Sequence, residues 1–283
     1  MPDLPPDLAQ QVAAALAEDI GTGDVTAELV PATQRVTGKV ITREPAILCG
    51  RPWVTETFRQ LDPTVRLTWH AKDGERITAN QTLFEVSGLA RPVLTGERTA
   101  LNFLQLLSAT ATAARRYVDA IAGTESAILD TRKTLPGLRT AQKYAVVQGG
   151  AQNHRMGLFD QVLIKENHIA AAGSLAAAIT AGRRAAGGRK VEVEVETLAE
   201  FEEALRAQPD IIMLDEFSLE DMRAAVELNR AQGRPIKLEA SGSVTLETVR
   251  SVAQTGVDYI SIGGITKHVR AVDLSMRLQF GGA

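Results

Sequence analysis

From residue 127 onward the chain alternates short apolar runs with helical stripes, and this alternation restricts the fold more than any other feature. The runs fall at 127–130, 162–165, 191–195, 211–215, 236–240 and 259–262. Helical periodicity lies between them at 170–184, 198–207, 219–231 and 246–255. Strands separated by helices pair in parallel through right-handed crossovers. A parallel sheet is therefore expected, either open or closed into a barrel; six strands fall short of the eight of a complete barrel.

The preceding chain has a different pattern. Leu8, Val12, Ala15, Leu16 and Ile20 form a helical stripe that Gly21 ends. Segments 36–43, 65–71 and 82–86 alternate with period two, with turns at Asp62-Pro63 and Asp73-Gly74 and a helix over 51–61. This reads as an α+β region of mostly antiparallel strands. A long helical passage follows from Pro92 to Gly123, and the tail 269–280 has room for one more strand that pairs elsewhere.

Residues 130–168 hold Arg132, Lys133, Arg139, Lys143, Arg155 and Lys165, with His154 and His168, against only Asp130, Asp160 and Glu166. The apolar run 127–129 leads into Asp130-Thr131-Arg132-Lys133, and 162–164 leads into Lys165. Cations delivered where parallel strands end make a site for a polyanion rather than a solvated face. Since the net charge is −3, the basic stretch is local, which argues against bulk nucleic-acid binding. The single cysteine, Cys49, excludes an internal disulfide and a cysteine-rich zinc site. No apolar run approaches the ~20 residues of a membrane span, and MPDLPPDLAQ lacks the features of a signal peptide. A cytoplasmic location is expected.

The other strands also end in polar groups: Glu192 and Glu194, Asp215, Glu239 with Ser241, and Ser261 with Gly263. In 191–196 valine and glutamate alternate strictly, so the glutamates share one face. On an antiparallel edge that face would be solvated. In a barrel the valines pack outward and the glutamates point inward, where Lys165 is available to pair with them. Ser241-Gly242-Ser243 and Ser261-Ile262-Gly263-Gly264 each precede a helix-like segment and leave backbone N–H groups open for phosphate. His154 and His168 lie among cations, where a proton-bound or anion-contacting role is expected. His70 and His268 are assigned no role. No histidine and carboxylate set has strong metal-ligand spacing, so a metal is expected only as Mg²⁺ carried with a phosphate ligand.

Taken together, Asp24-Val25-Thr26, Gly96-Glu97-Arg98 with Asn102, Thr131-Arg132-Lys133-Thr134, Asn153-His154-Arg155, Lys165-Glu166-Asn167-His168 and Glu192-Val193-Glu194 resemble quinolinate phosphoribosyltransferase. The resemblance runs from about Leu8 onward in order and spacing. It implies an α/β protein: an N-terminal α+β sandwich domain over 1–110 and a C-terminal open α/β barrel of parallel strands over 111–268, with the tail 269–283 packing back on the first domain. It implies phosphoribosyl transfer from phosphoribosyl diphosphate to quinolinate with decarboxylation, in homodimers that share active sites. Arg98 then corresponds to the arginine given across the dimer. Arg132, His154, Arg155 and Lys165 correspond to the grip on the two pyridine carboxylates, with Thr131 beside them and Lys133 reaching the diphosphate. Lys133, Lys165, Glu194 and Asp215 take the catalytic roles, and Glu194 and Asp215 match the acids that hold ribose hydroxyls and Mg²⁺. Ser241, Gly242, Ser243, Ser261, Ile262 and Gly263 match the loops around the 5′-phosphate. Glu166, Glu216 and Ser243 depart from the usual family residues, which are Asp, Asn, and Asn or Gly.

Three other readings remain open on the residues alone. One is a phosphoribosyltransferase-like relative linked to molybdenum uptake, against which the set Arg98, Arg132, Arg155 and Lys165 argues. Another is an aldolase-type barrel in which Lys165 forms a Schiff base. A third is a non-catalytic phosphate-binding module, which has no need of the inward acids.

Overall fold

The structure, a computed structural model, describes residues 3–233 and 236–280. The chain runs α1 (Leu8–Ile20), a 3₁₀ turn (Ala27–Leu29), β1 (Arg35–Thr42), β2 (Ala46–Ile47), α2 (Arg51–Leu61), β3 (Arg66–Trp69), β4 (Arg76–Ile77), β5 (Thr82–Leu89) and α3 (Ala90–Ala120). It continues β6 (Ala127–Leu129), α4 (Arg139–Gln148), β7 (Val162–Ile164), α5 (Glu166–Ala172), α6 (Leu175–Ala186), β8 (Val191–Val195) and α7 (Leu198–Ala207). Then come β9 (Ile211–Asp215), α8 (Leu219–Ala231), β10 (Lys237–Ser241), α9 (Val249–Ala253), β11 (Tyr259–Ser261), α10 (Gly264–Lys267) and β12 (Leu274–Phe280).

Two compact units result. The first joins Met1–Arg115, Thr134–Gly150 and Ile265–Ala283; the second joins Arg116–Lys133 and Ala151–Gly264. The chain thus passes between the units more than once, and 134–150 groups with the first. The reason lies in α4, whose apolar stripe of Ala141, Tyr144 and Ala145 is buried with Val12, Leu16, Trp53 and Leu107 of α1, α2 and α3. Its Tyr144 hydroxyl also donates to Asp73 Oδ2 at 3.0 Å.

In the first unit an antiparallel sheet runs in the order β12-β1-β5-β3. Val36, Val40, Phe84 and Val86 point from it into a core completed by Val54 and Phe58 of α2 and Val93, Leu101 and Leu104 of α3. The tail 269–280 contributes β12, with Val36 opposite Phe280 and Thr42 opposite Leu274; residues 281–283 of the expected tail lie outside the described residues. The two-residue pair β2 and β4 is too short to give a period in the sequence.

In the second unit six parallel strands run in the order β6-β11-β10-β9-β8-β7. Among the described residues the outer strands β6 and β7 do not pair with each other, so the barrel is open. A single parallel bridge places Gln152 beside Leu129 at the β6 edge. Val191, Val193 and Val195 are buried, and α6 packs on Ile164 and Val191 where Gly182 has no side chain. The helices begin as their sequences dictate: Ser174, Thr197 and Ser218 accept backbone N–H groups of α6, α7 and α8.

Two helices differ from expectation. The stripe over 170–184 is two helices, because Gly173 turns left-handed (φ 87°) and Ser174 caps a new start. The stripe over 246–255 shrinks to α9, because the Thr248 hydroxyl accepts the Thr245 N–H at 2.9 Å and holds a turn instead.

Candidate functional site

The carboxyl ends of the parallel strands surround a cleft of about 290 Å³. Thr131, Arg132 and Lys133 enter it after β6, and His154 and Arg155 from the loop leading to β7. Lys165, Glu194, Asp215, Ser241 and Ser261 enter from β7 to β11 in turn, while Leu163 and Met213 give it apolar patches. Two larger hollows of about 460 and 680 Å³ are lined by residues of the first unit.

Parallel register puts the side chains at matching heights: Ile164 pairs with Val193, Glu194 with Met213, and Ser241 with Asp215. Lys165 Nζ meets Glu194 Oε2 at 2.5 Å; the Glu194 side chain is nearly buried, the Lys165 side chain half exposed. Arg155 stands among charges. Burial first, then the neighbouring Arg132 cation, pulls its pKa below the ordinary guanidinium value, while Glu192 and Asp160 oppose that shift. Two guanidinium groups lining one cleft suit a ligand with more than one carboxylate.

The Arg132–Arg155 side of the cleft rests on fixed acids. Asp130, fully buried, accepts the His154 N–H at 2.9 Å. Asp160 accepts the N–H groups of Met156 and Gly157 at 2.7 and 3.0 Å, which shapes the loop after Arg155. Beneath the cleft His154 Nε2 faces Glu192 Oε2 at 3.0 Å and Glu239 Oε2 at 3.5 Å. Burial, the Glu192 charge and, more weakly, Asp130 raise the Glu239 carboxyl well above the usual carboxylate range, against the nearby Ser261 hydroxyl.

Not every expected site residue lies in this cleft. Arg98 is exposed on α3 in the first unit. Ile262 is buried, and its backbone N–H donates to Leu129 at 2.9 Å rather than standing open for a ligand. Gly242 and Ser243 pack against Glu216: the Glu216 carboxylate accepts the Ser243 hydroxyl at 2.9 Å, and a Cβ on Gly242 (φ 125°) would sit 2.6 Å from that carboxyl. Gly263 is needed for space, since a Cβ there would stand 2.9 Å from Lys133 Cδ. That contact brings the early cation loop and the last loop together. His168 is exposed at the start of α5, where its Nδ1 accepts the Lys165 N–H at 3.1 Å. It serves as a helix cap rather than a cleft residue.

Sequence reasoning counted Glu239 only as one of the polar strand ends, and it passed over Gln161, whose Nε2 donates to Glu192 Oε2 at 2.5 Å. The available signal was a glutamate inside an apolar strand; in register it stands level with Glu194, since both pair with Met213.

The chain matches the family models for the quinolinate phosphoribosyl transferase N-terminal domain over residues 24–108 and C-terminal domain over residues 110–277. It is 42% identical to the carboxylating nicotinate-nucleotide pyrophosphorylase of Mycobacterium leprae, over 93% of this chain and 94% of that one. It is 39% identical to the chloroplastic carboxylating enzyme of that name from Arabidopsis thaliana, covering 96% of this chain and 83% of the relative. The solved structure of the nicotinate-nucleotide pyrophosphorylase from Francisella tularensis superposes with a TM-score of 0.93 at 47% identity, over 98% of both chains.

Proposed function

The chain belongs to the quinolinate phosphoribosyl transferase family, and we propose that it makes nicotinate mononucleotide, diphosphate and CO₂ from quinolinate and phosphoribosyl diphosphate, a step of NAD biosynthesis. The observation that carries this reading is one cleft in which Arg132, Arg155 and Lys165 converge beside Glu194 and Asp215.

Both substrates are polyanions, so the cations bind and orient them. Arg132, Arg155 and Lys165 hold the two carboxylates, with the ring over Leu163 and Met213. The ring nitrogen attacks C1 of the ribose, and the bond from C1 to the diphosphate oxygen breaks with both electrons leaving on that oxygen. Glu194 and Asp215 stabilise the positive charge that develops on the sugar, and Lys133 stabilises the departing diphosphate. Loss of CO₂ from C2 then leaves an electron pair beside a cationic ring nitrogen, and a proton takes it up.

Mg²⁺ belongs to this reading as a companion of the diphosphate. Glu194 and Asp215 on adjacent strands offer the oxygen donors that such an ion prefers. Lys165 already engages one Glu194 oxygen, which fits an ion held mainly by the substrate's own phosphates. When bound, the ion neutralises charge on the leaving group. Arg98, exposed and outside the cleft, is assigned to a neighbouring subunit's quinolinate in a homodimer. A cytoplasmic location is part of the same reading; no helix among the described residues is long and apolar enough to cross a membrane.

The test is the release of CO₂ and diphosphate from quinolinate, with nicotinate as control substrate. Turnover of quinolinate with little or none of nicotinate is expected. Equal turnover of the two acids would remove the two-carboxylate assignment.

A further inference from the structure

His154 accepts the backbone N–H of Arg155 on Nδ1, at 2.7 Å. An accepting nitrogen carries no proton, so the ring proton is on Nε2. Nε2 faces Glu192 Oε2 at 3.0 Å and Glu239 Oε2 at 3.5 Å. Both glutamates have no exposed surface, and Gln161 steadies the same Glu192 oxygen from the other side. The ligand atoms of the three side chains lie within 4.8 Å of one another, close enough for a divalent cation to bridge them. A ring whose Nδ1 lone pair is engaged presents an N–H at Nε2, however, and an N–H cannot ligate a metal. The cluster is therefore built around a proton, not an ion.

Building on the proposed function, we infer that Glu192 and Glu239 are positioning residues: they hold His154 in the Nε2–H tautomer, and the ring in turn fixes the Arg155 backbone so that its guanidinium meets a quinolinate carboxylate. His154 lines the cleft, and its ring also bears on Arg155 through the Nδ1 contact. Glu192 and Glu239 reach the ring from β8 and β10, on either side of β9, so the ring is clamped from two strands. The loop carrying Arg155 has no sheet pairing of its own beyond the Gln152 bridge among the described residues. The clamp supplies the rigidity that such a loop lacks.

Two measurements test this on the full chain. In the first, long-range ¹H–¹⁵N spectra are recorded on protein labelled with ¹⁵N-histidine, the His154 signals being assigned by their loss in His154→Gln. A protonated Nε2 and a bare Nδ1 are expected, with elemental analysis finding no stoichiometric metal. A protonated Nδ1, or a bound metal that shifts the His154 signals, overturns the inference whatever the enzyme turns over. In the second, steady-state kinetics are measured for variants of the nearer acid, Glu192→Leu and Glu192→Gln. The leucine removes the acceptor and is expected to raise KM for quinolinate about tenfold or more, the scale of a misplaced binding group, with KM for phosphoribosyl diphosphate little changed. Glutamine restores an acceptor oxygen and should recover most of the loss. Equal KM for quinolinate in wild type and the leucine variant overturns the inference. If leucine prevents folding, the spectra on wild type and the glutamine variant decide. Absence of quinolinate turnover in the wild type would strike the proposed function and leave the tautomer result standing.

Discussion

Lys165 and Glu194 form one contact on which both the binding and the chemistry proposed above draw. Joined at 2.5 Å, each limits the other's motion before substrate arrives, and the nearly buried Glu194 depends on the cation for compensation. Charge on the ribose develops only as diphosphate leaves, so Glu194→Gln and Asp215→Asn should lower kcat by about 10²-fold or more and change KM for quinolinate far less. Steady-state kinetics on both substrates check this split; a pure loss of quinolinate affinity would move these acids to the carboxylate end of the cleft. The Lys165–Glu194 pairing was legible in the sequence, because both residues end apolar runs and the glutamate phase was strict. The His154 clamp was not. It depends on β8 and β10 being separated by β9, and a strand order has no signature in a single chain.

At the scale of elements, small residues and local hydrogen bonds set what each segment does. Gly263 admits Lys133 because it has no side chain. Gly263→Ala should push the lysine aside and raise KM for phosphoribosyl diphosphate about three- to tenfold, a shift of roughly 1 kcal/mol, while leaving thermal stability nearly unchanged. Calorimetry and kinetics on the same sample separate the two effects. Asp24 shows a pH dependence. The Thr95 hydroxyl at 2.7 Å, and then the N–H groups of Ala27 and Thr26, hold its carboxyl below the usual range. A depressed folded-state pKa favours the fold wherever the carboxylate is charged. The contribution is complete above the unfolded value of about 3.9 and disappears as pH falls through the lower folded value. Asp24→Asn should therefore melt below wild type at pH 7, and the gap should close in acid; a gap that stays constant with pH would refute the assignment. The element pattern itself was largely readable, with α1, α2, α7 and α8 falling where periodicity put them. Gly173-Ser174 was readable too, as a stop followed by a cap, but the apolar period across it hid the break. Which unit claims α4 was not readable, since its partners Val12 and Trp53 are remote in sequence.

For the whole molecule the central expectation concerns Arg98. If the neighbouring subunit's site uses it, Arg98→Ala and Lys165→Ala should each be nearly inactive while folded, since a charged donor lost from a desolvated carboxylate costs about 2–5 kcal/mol. Mixed under exchanging conditions, the two dead variants form hybrids in half of the dimers, each with one of two sites intact. Activity should return to at most roughly a quarter of wild type. Hybrids that demonstrably form and stay dead would place Arg98 in its own subunit's chemistry.

The pairing of β12 with β1 reaches beyond the finished structure to its synthesis. β1 ends at Thr42 and its edge partner begins at Leu274, so more than two hundred residues leave the ribosome before that partner arrives. Through this interval the nascent chain carries β1 with one row of backbone donors and acceptors unpaired, an edge that invites other strands. Arg35 and Lys39 on that strand place charges where a foreign strand would have to settle. Removing 274–280 should leave protein that expresses but associates through β1, visible as soluble oligomers by light scattering. Restoring those residues as a separate peptide should dissolve them.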